Sequence, residues 1–352
     1  MTTDDIKCTH VNTNMLQTAV NARQQQRADA KKSKVQGDEG DELKPITTLS
    51  SCVDYNDIQD NELDYVGTAG VKVTEIDRVE LLQSLQKLHV RSNLLDSMTN
   101  VASLVNLEHL ELYDNQIQVI DGVQELVNLK VLDLSFNEIR VIPDLSHLNQ
   151  LEELYVANNK LKKISGITNL SKLRKLDLGA NRLRTIEGLD GLLELKELWL
   201  GKNKITTIQG LEKLTKLKII SVQSNRVVMT TGFANNVDLE ELYLSHNGIE
   251  KIENIEHLTS LTTMDFAGNR ITNIPTNLAP LLQLEDLWLN DNLVAHYEDV
   301  ENLVSLTKLR TLYLEQNPLA QDFEYRKKLE RLLPQLNQID ATPTTKARQG
   351  RI

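Results

Sequence analysis

The chain has 352 residues, which is too long to fold around a single hydrophobic core of ordinary size. The sequence therefore predicts either several domains or an array of repeats. Its 39 Lys and Arg residues against 50 Asp and Glu residues give a formal net charge of −11, which disfavours a broad nucleic-acid-binding surface. Two cysteines, Cys8 and Cys52, are too few for a disulfide framework and favour an intracellular compartment. We expect neither a secretory leader nor a membrane span, since no suitable apolar run is present.

Residues 1–55 differ in composition from the rest of the chain. They combine a basic cluster, Lys31–Lys34, with an acidic cluster, Asp38–Glu42, and they contain few large aliphatic residues. No helical or strand period persists there, so this segment is predicted to be a disordered tail. The basic cluster is interpreted as a solvated charge run, with a nuclear-import signal as the alternative.

From Leu85 onward one unit recurs, Leu-x-x-Leu-x-Leu-x-x-Asn-x-Ile/Leu, as in the segment from Leu107 to Ile117. Its asparagines are Asn93, Asn115, Asn137, Asn159, Asn181, Asn203, Asn225, Asn247, Asn269, Asn292 and Asn317. The leucines at positions one, four and six of the unit are expected to point inward and stack on their counterparts. The asparagine at position nine is expected to satisfy backbone groups left open at the following turn. After it, apolar residues recur every three residues, which suits short 3₁₀ segments.

This pattern predicts the α/β class and, within it, a leucine-rich-repeat solenoid of about 12 repeats. The concave face would be a curved parallel β-sheet, and the convex face would carry 3₁₀ or short helices. Because no repeat buries its apolar face alone, both ends need caps. We predict an N-terminal cap with a degenerate repeat over 56–84, repeats over 85–319 and a C-terminal cap over 320–345, where leucines at helical spacing indicate an amphipathic helix.

Little in the sequence points to catalysis. There is no phosphate-binding glycine loop, no nucleophile elbow and no His/Cys metal motif, so the chain is predicted not to be an enzyme and to bind no metal or cofactor. His89 and His109 fall on adjacent predicted strands, where a surface pair without function is the favoured interpretation.

The informative surface is the concave side of the predicted sheet, onto which positions three, five, seven and eight of each unit project. These positions carry eleven carboxylates against four Lys or Arg residues and seven of the aromatic residues, including both tryptophans. Exposed Trp and Tyr on a rigid surface are common anchors of protein interfaces. Position five runs His89, Glu111, Asp133, Tyr155, Asp177, Trp199, Ser221, Tyr243, Asp265, Trp288, Tyr313.

Strings beyond the repeat consensus resemble a known family. They are Tyr113-Asp-Asn-Gln-Ile, Leu200-Gly-Lys-Asn-Lys-Ile-Thr, Gln223-Ser-Asn-Arg, Glu241-Leu-Tyr-Leu-Ser-His-Asn-Gly-Ile-Glu, Asn290-Asp-Asn-Leu, Tyr325-Arg-Lys-Lys and Gln338-Ile-Asp-Ala-Thr. Over residues 55–345 the chain resembles the family of the leucine-rich-repeat regulatory subunit 7 of type 1 protein phosphatase. The resemblance implies that the concave face binds the phosphatase catalytic subunit. The contacts that it implies are Asp133, Tyr155, Asp177, Trp199, Asp265, Asp286, Trp288 and Tyr313.

Three of these positions depart from the family's residues, since Tyr155 and Trp199 stand in place of Phe and Asp177 in place of Glu. The resemblance also implies a chain that is monomeric alone, a ternary complex with a second inhibitor subunit, roles in phosphatase assembly and mitosis, and a nuclear and cytoplasmic location. Partners of other kinds, nucleic acid and membrane, are not expected. The alternative function is a ribonucleoprotein or other protein-interaction scaffold.

Overall fold

The computed structural model describes residues 46–67 and 71–350. The predicted tail falls largely on residues 1–45, outside this part. Within the described residues, one sheet of fourteen strands follows chain order without crossovers. Its parallel strands are β1 Glu62–Val66, β2 Lys87–Arg91, β3 His109–Glu111, β4 Val131–Asp133, β5 Glu153–Tyr155, β6 Lys175–Asp177, β7 Glu197–Trp199, β8 Ile219–Ser221, β9 Glu241–Tyr243, β10 Thr263–Asp265, β11 Asp286–Trp288, β12 Thr311–Tyr313 and β13 Gln338–Ile339. The last strand, β14 Thr342–Pro343, is antiparallel to β13.

The strands pair at equivalent positions of successive units, so each central leucine lies beside the next one, as Leu154 lies beside Leu176. These leucines are fully buried, whereas the residues on either side of them in each strand remain partly exposed along most of the sheet. The alternation follows from the two-residue period of a strand. The predicted solenoid is confirmed, with about 11 turns stacked around one continuous aliphatic core.

The position-nine asparagines tie each repeat to the one before it. The side chain of Asn181 donates to the carbonyl oxygens of Val156 (2.9 Å) and Leu178 (3.0 Å) and accepts from the backbone amide of Leu161 (2.9 Å). The same three contacts recur from Asn115 to Asn317. An unpaired buried backbone group costs about 1–3 kcal/mol, so the predicted role of this asparagine is confirmed and is structural.

The residue before each asparagine adopts the left-handed backbone region, with φ between 51° and 64° in every repeat. Most residues at this position are small or polar, such as Ala180 and Ser224. Phe136 is the exception, with φ at 59° and its ring 4.8 Å from that of Tyr113. This conformation turns the chain out of the sheet directly after each strand.

The convex side consists mainly of turns. Apolar residues three apart are linked by backbone hydrogen bonds, as from the amide of Leu195 to the carbonyl of Leu192 (3.0 Å), which accounts for the spacing seen in the sequence. The 3₁₀ helices are Leu49–Ser51, Tyr55–Asp57, Val79–Leu81, Thr99–Ser103, Thr276–Leu278 and Pro318–Gln321. The α-helices are α1 Tyr297–Glu301, α2 Tyr325–Leu332 and α3 Thr345–Gln349. Among the described residues, none of the helices has the length and apolar character needed to cross a membrane.

The two ends of the solenoid are closed differently. At the N-terminal end, residues 46–55, assigned from the sequence to the tail, lie in the cap, where Leu49 is fully buried and its amide bonds to the carbonyl of Glu75. At the C-terminal end, α2 places Leu329 in the core and Arg326 donates to three backbone carbonyls at and beside β13 and β14. Asp340 accepts from two amides that follow β12, where the next repeat's backbone would otherwise be.

Candidate protein-binding face

Position five is the last residue of strands β3 to β12, and its side chain lies on the concave side of the sheet. Seven of the eight residues predicted to contact a partner occupy this column. The eighth, Asp286, is at position three of its repeat unit and is the first residue of β11. The column therefore runs straight across the sheet, because the strands are paired without a shift in register.

Aromatic side chains in the C-terminal half of the column form a continuous row, here called the aromatic row. The rings of Trp199 and Tyr243 are stacked at 6.2 Å, those of Tyr243 and Trp288 at 6.4 Å, and Tyr313 meets Trp288 edge-on at 6.4 Å. The first two pairs join strands that are two apart, across about 9.6 Å of sheet. The rings therefore lean toward each other over the residues between them.

Those intervening residues are small or acidic and lie beneath the rings. Ser221 is 2% exposed and Asp265 is 7% exposed. Asp265 accepts hydrogen bonds from the amide of Ala267 (3.0 Å) and the side chain of Gln223 (2.8 Å), and burial raises its pKa. A buried carboxyl group is thus held under the aromatic row by internal donors.

Two further aspartates, in the half of the column without the aromatic row, repeat the same local turn. A carboxylate oxygen of Asp133 accepts from the amide of Ser135, and one of Asp177 accepts from the amide of Gly179, both at 2.8 Å. Burial raises the pKa of Asp133 to about 6, with smaller contributions from the charges of Glu111 and Asp177. Burial likewise raises the pKa of Asp177. Both groups would be ionised more readily beside a positive charge.

Glutamates at position three hold the neighbouring aromatic side chains. The hydroxyl of Tyr155 donates to Glu153 (2.5 Å), that of Tyr243 to Glu241 (2.6 Å), and the indole of Trp199 lies 3.3 Å from a carboxylate oxygen of Glu197. Each pair lies on a single strand, two residues apart, where side chains share one face. These contacts orient the polar ends of the rings toward position three.

At the N-terminal end of the face, charges neutralise one another. Lys87 pairs with Glu62 at 2.9 Å and Arg91 pairs with Asp64 at 2.7 Å, while the ring of His89 lies 3.8 Å from the carboxylates of Glu62 and Glu111. His89 is opposite Glu111 in the register, so it does not pair with His109 as the sequence suggested it could. This end of the sheet is therefore a local ion-pair network.

The structure thus brings together Trp199, Trp288 and Tyr313 through Tyr243, which the resemblance did not include. The signal for Tyr243 was in the sequence, since it stands at position five two repeats after Trp199. Tyr155 lies apart from the row and faces the ammonium of Lys175 at 5.7 Å. Across residues 46–67 and 71–350, no group of three or more His, Cys, Asp or Glu side chains could hold a metal ion.

Two family models match the chain. One, described as leucine-rich repeat, matches residues 234–349, and the other, described as leucine-rich repeats in two copies, matches residues 105–149, 149–191 and 194–235. Comparison with curated proteins finds no match.

Solved structures with similar folds include bacterial proteins. A leucine-rich-repeat protein of Leptospira interrogans is 29% identical, with 76% of this chain and 70% of that chain covered and a TM-score of 0.70. An internalin, InlF, from Listeria monocytogenes is 25% identical, with 81% and 87% covered and a TM-score of 0.63. The leucine-rich-repeat domain of APL1 is 21% identical, with 80% and 81% covered and a TM-score of 0.64, a likeness of fold alone.

Proposed function

The chain belongs to the leucine-rich-repeat proteins, which are protein-interaction scaffolds, and on that premise we propose that it binds the catalytic subunit of type 1 serine/threonine protein phosphatase through its concave face. In this proposal it is a non-catalytic regulatory or assembly subunit. The observation that carries the proposal is the aromatic row, flanked by partly buried carboxyl groups, on the face where the family resemblance puts the partner.

The aromatic row has the properties of an interface anchor. Its rings are only half-buried in the free chain, yet contacts among themselves and with position-three glutamates hold them in place. Docking on such pre-oriented rings costs little side-chain entropy, and buried Trp and Tyr anchors are commonly worth about 2 kcal/mol or more each.

The carboxyl groups supply the charge complementarity. Asp133 and Asp177 lie in a sheet whose concave positions carry eleven carboxylates against four Lys or Arg residues. A basic group from the partner would favour the ionised form of both aspartates, and their pKa values would fall on binding. The interface is therefore expected to be selective for a partner with a basic surface.

The sequence also lacks a short docking segment of the form Lys/Arg-x-Val/Ile-x-Phe/Trp. Its nearest approaches, Lys72-Val-Thr-Glu-Ile and Arg226-Val-Val-Met-Thr, have no aromatic residue at the end. A phosphatase partner without that segment needs a folded surface, and the concave face offers one.

The test is titration of purified phosphatase catalytic subunit against the chain and against a Trp199→Ala, Trp288→Ala double variant. We expect the double variant to bind at least about 700-fold more weakly, because two ring anchors worth about 2 kcal/mol each are removed. Phe323→Ala is the matched control, since Phe323 is 97% exposed and lies before α2, outside the sheet.

Unchanged binding by the double variant, or an equal loss in the control, would show that the concave face is not the phosphatase site. Circular dichroism of all three proteins separates loss of binding from loss of folding. We extend the proposal to the nucleus and cytoplasm as the compartments of the complex, which imaging of a tagged chain would test.

A further inference from the structure

A second charged surface lies on the flank that follows the strands. It comprises the segments 136–141, 158–163, 180–185, 202–207 and 224–229, here called the basic edge. These segments carry nine basic residues and one carboxylate, Glu138, a balance of +8 on a chain whose net charge is −11. The basic residues are Arg140, Lys160, Lys162, Lys163, Arg182, Arg184, Lys202, Lys204 and Arg226.

The basic edge is confined to five consecutive repeats. The equivalent segments before it, 92–97 and 114–119, contain aspartates and no basic residue. The one directly after it, 246–251, carries Glu250 and Lys251, which cancel. A charge that merely kept the solenoid soluble would not be expected to concentrate in neighbouring repeats on one flank.

Backbone hydrogen bonds fix the spacing of the central column of this surface. The amides of Arg182, Lys204 and Arg226 each donate to the position-eleven carbonyl of the preceding repeat at 2.8 Å. The amide of Lys160 makes the same bond to Ile139. The four basic side chains of this column therefore project from points about 4.8 Å apart and span about 14 Å. The preceding repeat has Glu138 at this position, but its Arg140 extends the basic edge to about 19 Å.

Most positive charges of the basic edge are exposed and are not neutralised by carboxylates of the described residues. Lys160 pairs with Glu138 at 2.7 Å, but the other eight basic residues make no ion pair with any residue of the part of the chain that the structure describes. Arg140, Lys162, Lys163, Arg182, Arg184, Lys202 and Arg226 are exposed. By contrast, basic residues on the opposite flank are largely matched, as Lys216 is with Glu194 and Lys218 with Glu240.

We propose that the basic edge binds a carboxylate-rich peptide segment of a partner protein, in extended form and about six residues long. An extended chain advances about 3.3 Å per residue, so six residues span the basic edge of about 19 Å. Arginine forks pair with carboxylates through two parallel hydrogen bonds, and lysines contribute point charges. Apart from Lys202 at position eight, the basic residues of this surface lie outside the concave face, and the proposal does not depend on the proposed phosphatase site.

The surroundings favour a narrow acidic segment over a broad polyanion. The acidic concave face borders the basic edge on one side, and Asp144 and Glu187 lie on the convex turns on the other. A nucleic-acid duplex or an anionic membrane would have to approach these carboxylates as well, which costs electrostatic energy.

The test is fluorescence anisotropy with a labelled peptide of alternating Asp and Glu, added to the full chain at low salt. We expect Arg182→Gln, Arg184→Gln to weaken binding about tenfold, since two exposed charge pairs are lost. Lys196→Gln, Lys213→Gln is the matched control: it removes the same charge from exposed lysines that lie outside the basic edge, and it should leave binding unchanged.

Two competitor arms identify the source of the negative charge, namely a single-stranded RNA and phosphatidylserine vesicles. The proposal is overturned if the peptide does not bind, if both variants weaken it equally, or if RNA or vesicles bind more tightly with the same sensitivity to the arginine substitutions. Binding that falls with added salt and is weakened only in the arginine variant supports it.

Discussion

Replacing Asp133 by Asn is expected to stabilise the solenoid at neutral pH while weakening its capture of the phosphatase. Burial raises the pKa of Asp133 from 3.8 to about 6, although hydrogen bonds from Ser135 oppose this. Asn keeps an oxygen at the place where Asp133 accepts from the amide of Ser135. It carries no charge, so it avoids the cost of holding an ionised group there.

The size and sign of this effect follow from linkage. The pKa in the folded chain exceeds that in the unfolded chain, so ionisation costs stability above about pH 6 and costs nothing below about pH 3.8. The difference corresponds to about 3 kcal/mol, or about 2 kcal/mol after allowing for the partial exposure of the side chain. The stabilisation by Asp133→Asn should therefore be full at pH 7, decline as the pH falls through 6 and nearly vanish at pH 4.

Urea unfolding of parent and variant at a series of pH values, followed by circular dichroism, measures this difference. Phosphatase binding at pH 7 supplies the second measurement, in which the variant should be weaker because a charge-assisted pair is lost. A variant that is less stable than the parent at pH 7, or whose advantage does not change between pH 7 and pH 4, would refute the reasoning.

Three further substitutions probe the repeats and the cap. Asn181→Ala should lower the free energy of unfolding by about 3 kcal/mol, because buried backbone partners lose their hydrogen bonds. Asn149→Ala, at an exposed site on the convex side, is the control and should change the free energy of unfolding by under about 0.5 kcal/mol. Urea unfolding compares the two variants. Asn236→Leu should lower stability by about 1 kcal/mol in thermal unfolding, because leucine cannot donate to the buried carbonyls of Leu211 (3.1 Å) and Leu214 (2.8 Å), and this loss exceeds the gain from removing a side-chain oxygen without a partner. A rise in stability would contradict this. Arg326→Ala should speed hydrogen exchange of amides at the C-terminal end without affecting the central repeats, since repeats contact only their neighbours.

The repeat register made most of the fold predictable from the sequence. Leucines at fixed spacing determine which side chains face inward, and the position-four residues of strands β2 to β12, which are leucines except for Ile220 and Met264, are buried as expected. The start of the N-terminal cap was harder to predict from the sequence. Leu49 is fully buried through contacts with a segment more than twenty residues later, and no local hydrophobic period predicts its burial.

The candidate site could be predicted as a set of positions but not as a geometry. Trp199, Ser221 and Tyr243 follow one another at position five of successive units. The stacking of the two rings over the serine depends on how the two side chains tilt, which the sequence does not specify. The burial of Asp265 has the same origin, since the rings on either side cover it. Sequence patterning alone would have treated that aspartate as a solvated charge.

The contacts of the position-nine asparagines also have a direction, which bears on how the protein is made. The side chain of each asparagine satisfies backbone groups of the repeat before it, as Asn203 accepts from the amide of Leu183. A chain emerging N-terminus first from the ribosome therefore completes each turn only when the following one appears. Removing repeats from the N-terminal end leaves no remaining backbone amide without its asparagine partner. Removing repeats from the C-terminal end does, because the last remaining repeat loses the asparagine that follows it. The aspartate in the C-terminal cap, Asp340, ends this sequence by accepting two amides after the last repeat strand.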